Sequence, residues 1–473
     1  MAPISNTKDA LTTAPVQFPC LYIPDQASQA RLLGLYPQRQ NGLWMQRIKI
    51  LGGVLTAGQW RELARIVRKF TPQTPLHLTT RQDIELHNIS EVKVPLVQQA
   101  LAEVGLTGWG ACGDTLRNIT VCPCSGLVKN SVDLYSLAAL IQQELEGWSD
   151  IYALPRKFKI SLSCEDDQEG QPWINDLGFI ARKSSDQWGF KVIAGGSLGP
   201  IPATGIVLFD WLNANDVLPL VAGTIRLFAK HGDRKNRRRA RLRHVREQWG
   251  DKSFSNELIR LYEEEKEKSY WPQVQLTQTE NGFEERRILT FADGNIDPDQ
   301  AQALAAIADL DDVKLRITNH HRVIVFGRHN SAQRALANHR NVLGSAAKPQ
   351  AAVVACPGKR WCSRALTHTQ NLADKIRTEL ADKLPIDVTI AISGCPNGCA
   401  QTTVADIGLA GRLSRGISYD NPDSNQDEQE VFDLYLGGGM GRNYKLAEVV
   451  CRKLSISGVI AEIKKKYLDD QNR

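Results

Sequence analysis

Four cysteines in two close pairs, Cys356 with Cys362 and Cys395 with Cys399, are the residues of this chain best placed to do chemistry. The second pair lies in Ser393-Gly-Cys-Pro-Asn-Gly-Cys-Ala400, directly after an apolar, strand-like run. Four thiolates gathered around one point are what an iron–sulfur cluster requires. Structural zinc sites usually draw their pairs from tighter spacings than the five residues between Cys356 and Cys362, so a cluster is the first expectation. Zinc and inert buried thiols are the alternatives.

The composition suits an intracellular redox enzyme. Ten cysteines in 473 residues, those outside the pairs scattered at 20, 112, 122, 124, 164 and 451, do not form the dense framework of a small secreted domain. The N-terminus has no basic patch followed by an apolar core, and no run reaches the ~18 apolar residues of a membrane span. The chain is therefore expected to be soluble and cytoplasmic, with no membrane partner. At 42% hydrophobic and 23% charged it is ordinary globular material. A net charge of +6 points to an acidic ligand or partner without demanding nucleic acid.

The elements that must position the cysteines come as an internal repeat. After an N-cap at Thr56, Trp60, Leu63, Ala64 and Val67 fall on one helical face, and a short alternating strand is expected from Leu76 to Leu86. Downstream, Asp297 caps and Pro298 opens a second helix, followed by a strand from Leu315 to Phe326. Each unit reads as strand, helix, strand, half of a ferredoxin-like sandwich. The following regions echo each other too: Ala111-Cys-Gly-Asp114 parallels Ala355-Cys-Pro-Gly358, and Phe190–Gly199 parallels Phe432–Gly441. Residues 210–274 read as helical and polar, the tail after Tyr444 as one amphipathic helix, and Asn421–Glu430 as an acidic surface loop. The expected domains are 33–105 and 275–345 (ferredoxin-like halves), 106–209 and 346–473 (α+β domains), and 210–274 (a basic helical connection).

Only the second copy keeps the full cysteine set; the first supplies positive charge. In Leu154-Pro-Arg-Lys-Phe-Lys159 a strand puts Lys157 and Lys159 on one face and Phe158 on the other. Two ammonium groups side by side repel unless an anion sits between them. Arg81 and Arg117 add to the set. In isolation each would be read as a solvated surface charge.

Taken together, Thr79-Thr-Arg-Gln82, Cys112-Gly-Asp-Thr-Leu-Arg-Asn118, Leu154-Pro-Arg-Lys-Phe-Lys159, His231–Arg241, the paired cysteines and Ser393–Cys399 give a chain that resembles the sulfite and nitrite reductase family, whose members bind sirohaem coupled to a [4Fe-4S] cluster. The resemblance implies an α+β, internally duplicated sulfite/nitrite reductase fold, with ferredoxin-like half-domains and two sirohaem/[4Fe-4S]-type α+β domains. It implies that Cys356, Cys362, Cys395 and Cys399 hold the cluster, Cys399 also ligating the sirohaem iron. Bottom-up, Pro396 can open a helical turn there and Gly398 permits close approach. The resemblance places Arg81, Arg117, Lys157 and Lys159 around the substrate, arginines binding the anion and lysines binding it and delivering protons. Family nitrite reductases tend to be neutral where this chain has Lys159, so sulfite is the expected substrate and nitrite the alternative.

The same resemblance gives the basic run, eight Lys or Arg from Arg234 to Arg246, to the carboxylates of sirohaem, with Asn236, Arg239 and Arg241 as contacts, in preference to nucleic acid or a solvated helix. Cys112, in the motif that carries Arg117, is either near the substrate or a packed thiol; Cys122 and Cys124 read as structural, as do His320 and His321. No Gly-x-Gly-x-x-Gly opens a helix after a strand, so electrons are expected from outside the chain, from a ferredoxin or alternatively a flavoprotein subunit. Two rival readings are a corrin-pathway oxygenase of precorrin-3B-synthase type, which has no need of the lysine pair, and a non-catalytic nucleic-acid-binding scaffold, which leaves the cysteines unexplained.

Overall fold

In the computed structural model, which describes residues 27–164, 169–185, 187–344, 351–414 and 429–469, the chain makes one journey twice. The first begins with α1 (Ala27–Leu32), the short β1 (Leu35–Pro37) and β2 (Leu43–Ile48). α2 (Ala57–Phe70) starts with a capping box: the Thr56 hydroxyl accepts from the N–H of Gln59, whose side chain accepts from the N–H of Thr56. Trp60, Leu63, Ala64 and Val67 are buried, as their spacing predicts. The single strand expected from Leu76 to Leu86 is instead a hairpin, β3 (Leu76–Leu78) and β4 (Ile84–Ser90). The chain turns at Gln82, whose φ of 61° is left-handed, and the N–H of Thr79 closes the turn onto the carbonyl of Asp83 at 2.9 Å. α3 (Val94–Glu103) completes the unit.

A five-stranded sheet follows, β5 (Thr120–Val121), β6 (Ile160–Ser163), β7 (Leu177–Ser184), β8 (Gln187–Ala194) and β9 (Ile206–Asn213), adjacent in that order. The first two pairings are parallel and the last two antiparallel. α4 (Leu134–Glu146) crosses from β5 to β6. The segment expected to be helical and polar from residue 210 opens with the end of β9, then forms α5 (Val217–His231), α6 (Leu242–Trp249) and α7 (Asp251–Lys266). α5 is not polar: it is buried on nearly every face, sharing one core with the sheet and α7.

The second journey runs β10 (Glu285–Thr290), β11 (Asn295–Ile296) and α8 (Pro298–Ala308), capped by Asp297 as expected. Another hairpin, β12 (Val313–Ile317) and β13 (Arg322–Gly327), replaces the expected strand and turns at His321, φ 57°. After α9 (Ser331–Asn338) and α10 (Arg340–Leu343) come β14 (Ala352–Ala355), α11 (Gly358–Trp361), α12 (Thr369–Glu379), β15 (Thr389–Ser393), β16 (Ile407–Ser414) and β17 (Gln429–Leu436). The tail is not one helix: β18 (Glu448–Leu454) pairs with β17 before α13 (Ile456–Lys464) forms, giving the backbone of β17 a partner on its second edge. Of the expected acidic loop, residues 421–428 lie outside the described residues and Glu430 belongs to β17.

Strand register makes the duplication explicit. Thr120 and Val121 face Ser161 and Leu162, and Ser161 faces Gly178; Val354 and Ala355 face Ala391 and Ile392, and Ala391 faces Gly408. The counterpart of Cys356 is therefore Cys122, not Cys112, and that of Gly394 is Cys164. Ala111-Cys-Gly resembles Ala355-Cys-Pro-Gly in sequence alone, because residues 112–118 lie ahead of β5. The two ferredoxin-like units share one core, in which Leu63 and Val67 join Leu304 and Ile307. They also share a sheet, since β11 pairs with β3 to give the order β1-β2-β4-β3-β11. Equivalent Gln171 and Gln401, each left-handed (φ 60° and 69°), meet where the copies face one another, each side-chain amide donating to the other's carbonyl at 2.6 Å.

Candidate active site

The carboxyl ends of β14 and β15 carry the cysteines. Cys356 follows β14, Cys362 ends the single turn of α11, and Cys395 follows β15 after Gly394. Cys395–Cys399 is a chain of tight turns and not the expected helical turn; Gly398, φ 63°, takes the left-handed position. Gly358 (φ 57°) lets the loop close, because a Cβ there would sit 2.6 Å from the hydroxyl of Thr369. Cys395 is buried and Cys399 exposed.

The four thiols face a common space. Burial raises Cys356, and next the charge of Cys399; the same two causes push Cys395 up to about 11. Cys362 is raised first by burial, with Cys399 again among its neighbours. The N–H of Gly394 donates to Cys356 Sγ at 3.2 Å. Two donors on one ion sit within about twice a 2.3 Å metal–sulfur bond of each other. Among the described residues only Cys122, Cys124 and Cys164 form a group of three that close, within 4.8 Å. Four thiols of which no three lie that close, with backbone N–H donors on Cys356, Cys362 and Cys395, fit a polynuclear iron–sulfur cluster better than a single zinc.

Across from them stand the cations. Arg81 sits in the β3–β4 turn, donating to Asn175 Oδ1 at 2.8 Å and the carbonyl of Asn118 at 2.6 Å. Arg117 donates to the carbonyls of Ala111 (2.8 Å) and Gly113 (2.6 Å). Leu116 bridges Phe158 in parallel register, which sets Arg117 beside Lys157 and Lys159. The predicted alternation holds, with Phe158 buried and both lysines only partly covered. Among the described residues neither ammonium has an ion-pair or hydrogen-bond partner.

Crowding shows in their acidities. Burial, then Arg241 and Arg117, brings Lys157 down to about 7, while Cys399 works the other way. Burial, then Arg81 and Lys157, takes Lys159 well below the ordinary lysine value. Burial lowers Arg81 to about 10. The nearby carboxylates are engaged: Asp83 accepts from the N–H of Ile50 at 3.2 Å, and Asp176 accepts from Arg241 at 2.8 Å and the N–H of Lys159 at 2.9 Å. Among the described residues the buried Nε atoms of Arg81, Arg117 and Arg241 have no partner. Cationic donors gathered in this way could replace the water of a small anion.

Of the three residues expected to meet cofactor carboxylates, Arg241 is buried beside this pocket, whereas Asn236 and Arg239 are exposed on the segment leading to it. Sequence reasoning missed Asn118, which donates to the carbonyls of Ile50 (2.6 Å) and Arg81 (3.0 Å), and also Asp176, Asn175 and Thr80. Asn118 was within reach as the last residue of the motif holding Arg117. The Thr80 hydroxyl donates to the carbonyl of Cys399 at 2.8 Å, tying the Arg81 turn to the cysteine turn. A buried chain was missed as well: Arg47 pairs with Glu85 at 2.6 Å, Glu85 contacts His87, and the His87 ring stacks on Trp361 beside Cys362 (centroids 4.1 Å). Cys112 is buried between Arg47 and Arg117. His321 is buried against His77, ring centroids 5.2 Å apart, and His320 holds the position in β12–β13 that Arg81 holds in β3–β4.

Residues 112–267 and 347–471 match the nitrite and sulphite reductase 4Fe-4S domain, and residues 36–104 the nitrite/sulfite reductase ferredoxin-like half domain. The chain is 30% identical over 484 residues to the assimilatory ferredoxin-dependent nitrite reductase of Haloferax mediterranei, covering 91% of this chain and 80% of that protein. It is 28% identical to the chloroplastic ferredoxin–nitrite reductase of Arabidopsis thaliana, over 90% of this chain and 76% of that one. The ferredoxin–nitrite reductase of Synechococcus elongatus is also 28% identical, over 90% and 86%. The solved structure of the Mycobacterium tuberculosis NirA protein superposes with a TM-score of 0.75 at 22% identity, covering 91% of this chain and 84% of that one, and so shares the fold.

Proposed function

We propose, from the premise that this chain belongs to the nitrite and sulphite reductase family, that it reduces nitrite to ammonia with electrons from a ferredoxin. The cofactors of the family are sirohaem and a [4Fe-4S] cluster, which when bound supply single electrons and the iron at which an oxyanion is reduced. In this reading Cys356, Cys362, Cys395 and Cys399 hold the cluster. The exposed Cys399 is the sulfur free to meet a second iron as well. Arg241 offers a buried guanidinium to a sirohaem carboxylate, with Asn236 and Arg239 at its edge.

The observation that carries the reading is the gathering of Arg81, Arg117, Lys157 and Lys159, whose two ammonium groups have no ion-pair or hydrogen-bond partner among the described residues, with Lys157 within electrostatic reach of Cys399. A small hydrated anion enters only if fixed donors replace its water, and these side chains do so. Arg81 and Arg117 are anchored through backbone carbonyls, which suits them to orient oxygens. The lysines bind and also give protons as oxygen leaves as water; a value of about 7 suits Lys157 to that task.

One observation favours sulfite as a second reading. Lys159 adds a second ammonium beside Lys157, and a dianion gains more from it than nitrite does. Steady-state rates with a reduced dye decide between them: kcat/KM higher for nitrite supports the proposal, and a preference for sulfite of about a hundredfold or more replaces it. Reduced ferredoxin should drive the same turnover, with a rate that falls as salt rises while the dye-driven rate does not. A protein that, reconstituted with iron, sulfide and sirohaem, takes up neither centre would remove both readings.

A further inference from the structure

A second set of thiols converges in the first copy. Cys122 follows β5, Cys124 lies two residues on, and Cys164 follows β6; their sulfurs lie within 4.8 Å of one another, Cys124 and Cys164 at 3.7 Å. No disulfide joins them. A disulfide would need about 2.05 Å. Two metal–sulfur bonds of about 2.3 Å opened to the tetrahedral angle place their sulfurs about 3.8 Å apart. Cys122 and Cys164 are buried and Cys124 is half-buried.

The backbone supplies an independent sign. The N–H of Cys164 donates to Cys122 Sγ at 3.0 Å, just as the N–H of Gly394 donates to Cys356 Sγ at 3.2 Å. A donor aimed at sulfur favours the thiolate, the form that binds metal. Strand register makes these two cysteines equivalent, so the first copy retains the backbone of a thiolate-holding loop. The ligand spacing differs: it suits one ion, where the second copy is set wider.

We propose that Cys122, Cys124 and Cys164 form a three-thiolate site for one soft ion of the zinc class. Binding converts three thiols to thiolates and releases their three protons, the metal keeping its oxidation state. The ion would tie the end of β5, continuous with Arg117, to the end of β6, continuous with Lys157 and Lys159, and so act as a positioning device for the cations. The proposal stands whichever oxyanion is reduced.

Elemental analysis and zinc-edge X-ray absorption on holoenzyme prepared without chelators test it. The expected result is one zinc per chain with three sulfurs at about 2.3 Å. Cys124→Ala and Cys164→Ala should each bring zinc below about a tenth of an equivalent while iron content and the Soret band stay as in the parent. Less than about a tenth of an equivalent in the parent after incubation with equimolar Zn2+ overturns the proposal, as do copper or iron at these sulfurs, a mapped Cys124–Cys164 disulfide, or full zinc retention in both variants. If the variants fail to fold, the measurements on the parent decide alone.

Discussion

Replacing Lys157 tests the anion site where its charge is most easily moved. Burial and the neighbouring Arg241 and Arg117 hold its pKa at about 7, while Arg81, at about 10, stays charged. A lysine with this pKa is about nine-tenths charged one pH unit below it and about one-tenth charged one unit above. A hydrogen bond from a charged donor contributes about 1.5–3 kcal/mol, or roughly 10–150-fold in kcat/KM, and is available only while Lys157 is protonated. Nitrite stays a monoanion throughout this range, so any limb in the profile belongs to the protein. In dye-driven initial rates at low nitrite, kcat/KM should be level below about pH 7, then fall roughly tenfold per unit toward a plateau. Lys157→Met should sit on that lower plateau with no limb. Lys157→Arg should also lose the limb but keep binding, with a lower kcat, since a guanidinium does not release its proton. A Lys157→Met enzyme that kept the limb, or lost less than about threefold, would refute the reasoning.

Other substitutions probe the scaffold around the site. Asp176→Ala leaves Arg241 buried beside the other cations and should cost about 3–5 kcal/mol, read as a lower urea midpoint; an unchanged midpoint would mean that Arg241 finds another partner. His77, buried and held at about 4, keeps its stabilising neutral form above its ordinary 6.5, so stability should fall as pH drops from 6.5 toward 4 by about 3 kcal/mol. His77→Gln should flatten that acid limb in urea titrations at successive pH values. Gly53→Ala places a Cβ 2.4 Å from the carbonyl of Ile317 at φ 71°, and should destabilise by about 2 kcal/mol or more; a midpoint within error of the parent would show that the seam between the ferredoxin-like units can yield.

Local signals carried the parts of the fold that local physics decides. Thr56 and Asp297 each stand three residues before a glutamine, and both make the reciprocal cap. The alternation of Lys157, Phe158 and Lys159 came through for the same reason: a strand leaves no other choice of face. The hairpins were hidden because Leu76, Leu78, Ile84 and Leu86 keep one alternation across the bend, and the bend uses Gln82, a residue with no turn preference of its own. α5 was hidden by averaging, its apolar residues diluted by the charged stretch that follows. The pairing of Cys122 with Cys356, and the approach of Cys164 to Cys124 from forty residues away, depend on hydrogen-bond register between parallel strands, which no window of sequence contains.

The facing amides of Gln171 and Gln401 bear on how such a chain can change. A side chain that meets its own equivalent must be self-complementary, donor to acceptor in both directions. Glutamine satisfies that rule, and lysine or glutamate does not. Two identical chains related by a dyad could make the same contact. Joined in a single polypeptide, the halves are released from identity: one can keep four cysteines and the other a pair of lysines, while the shared amide ring still registers one against the other.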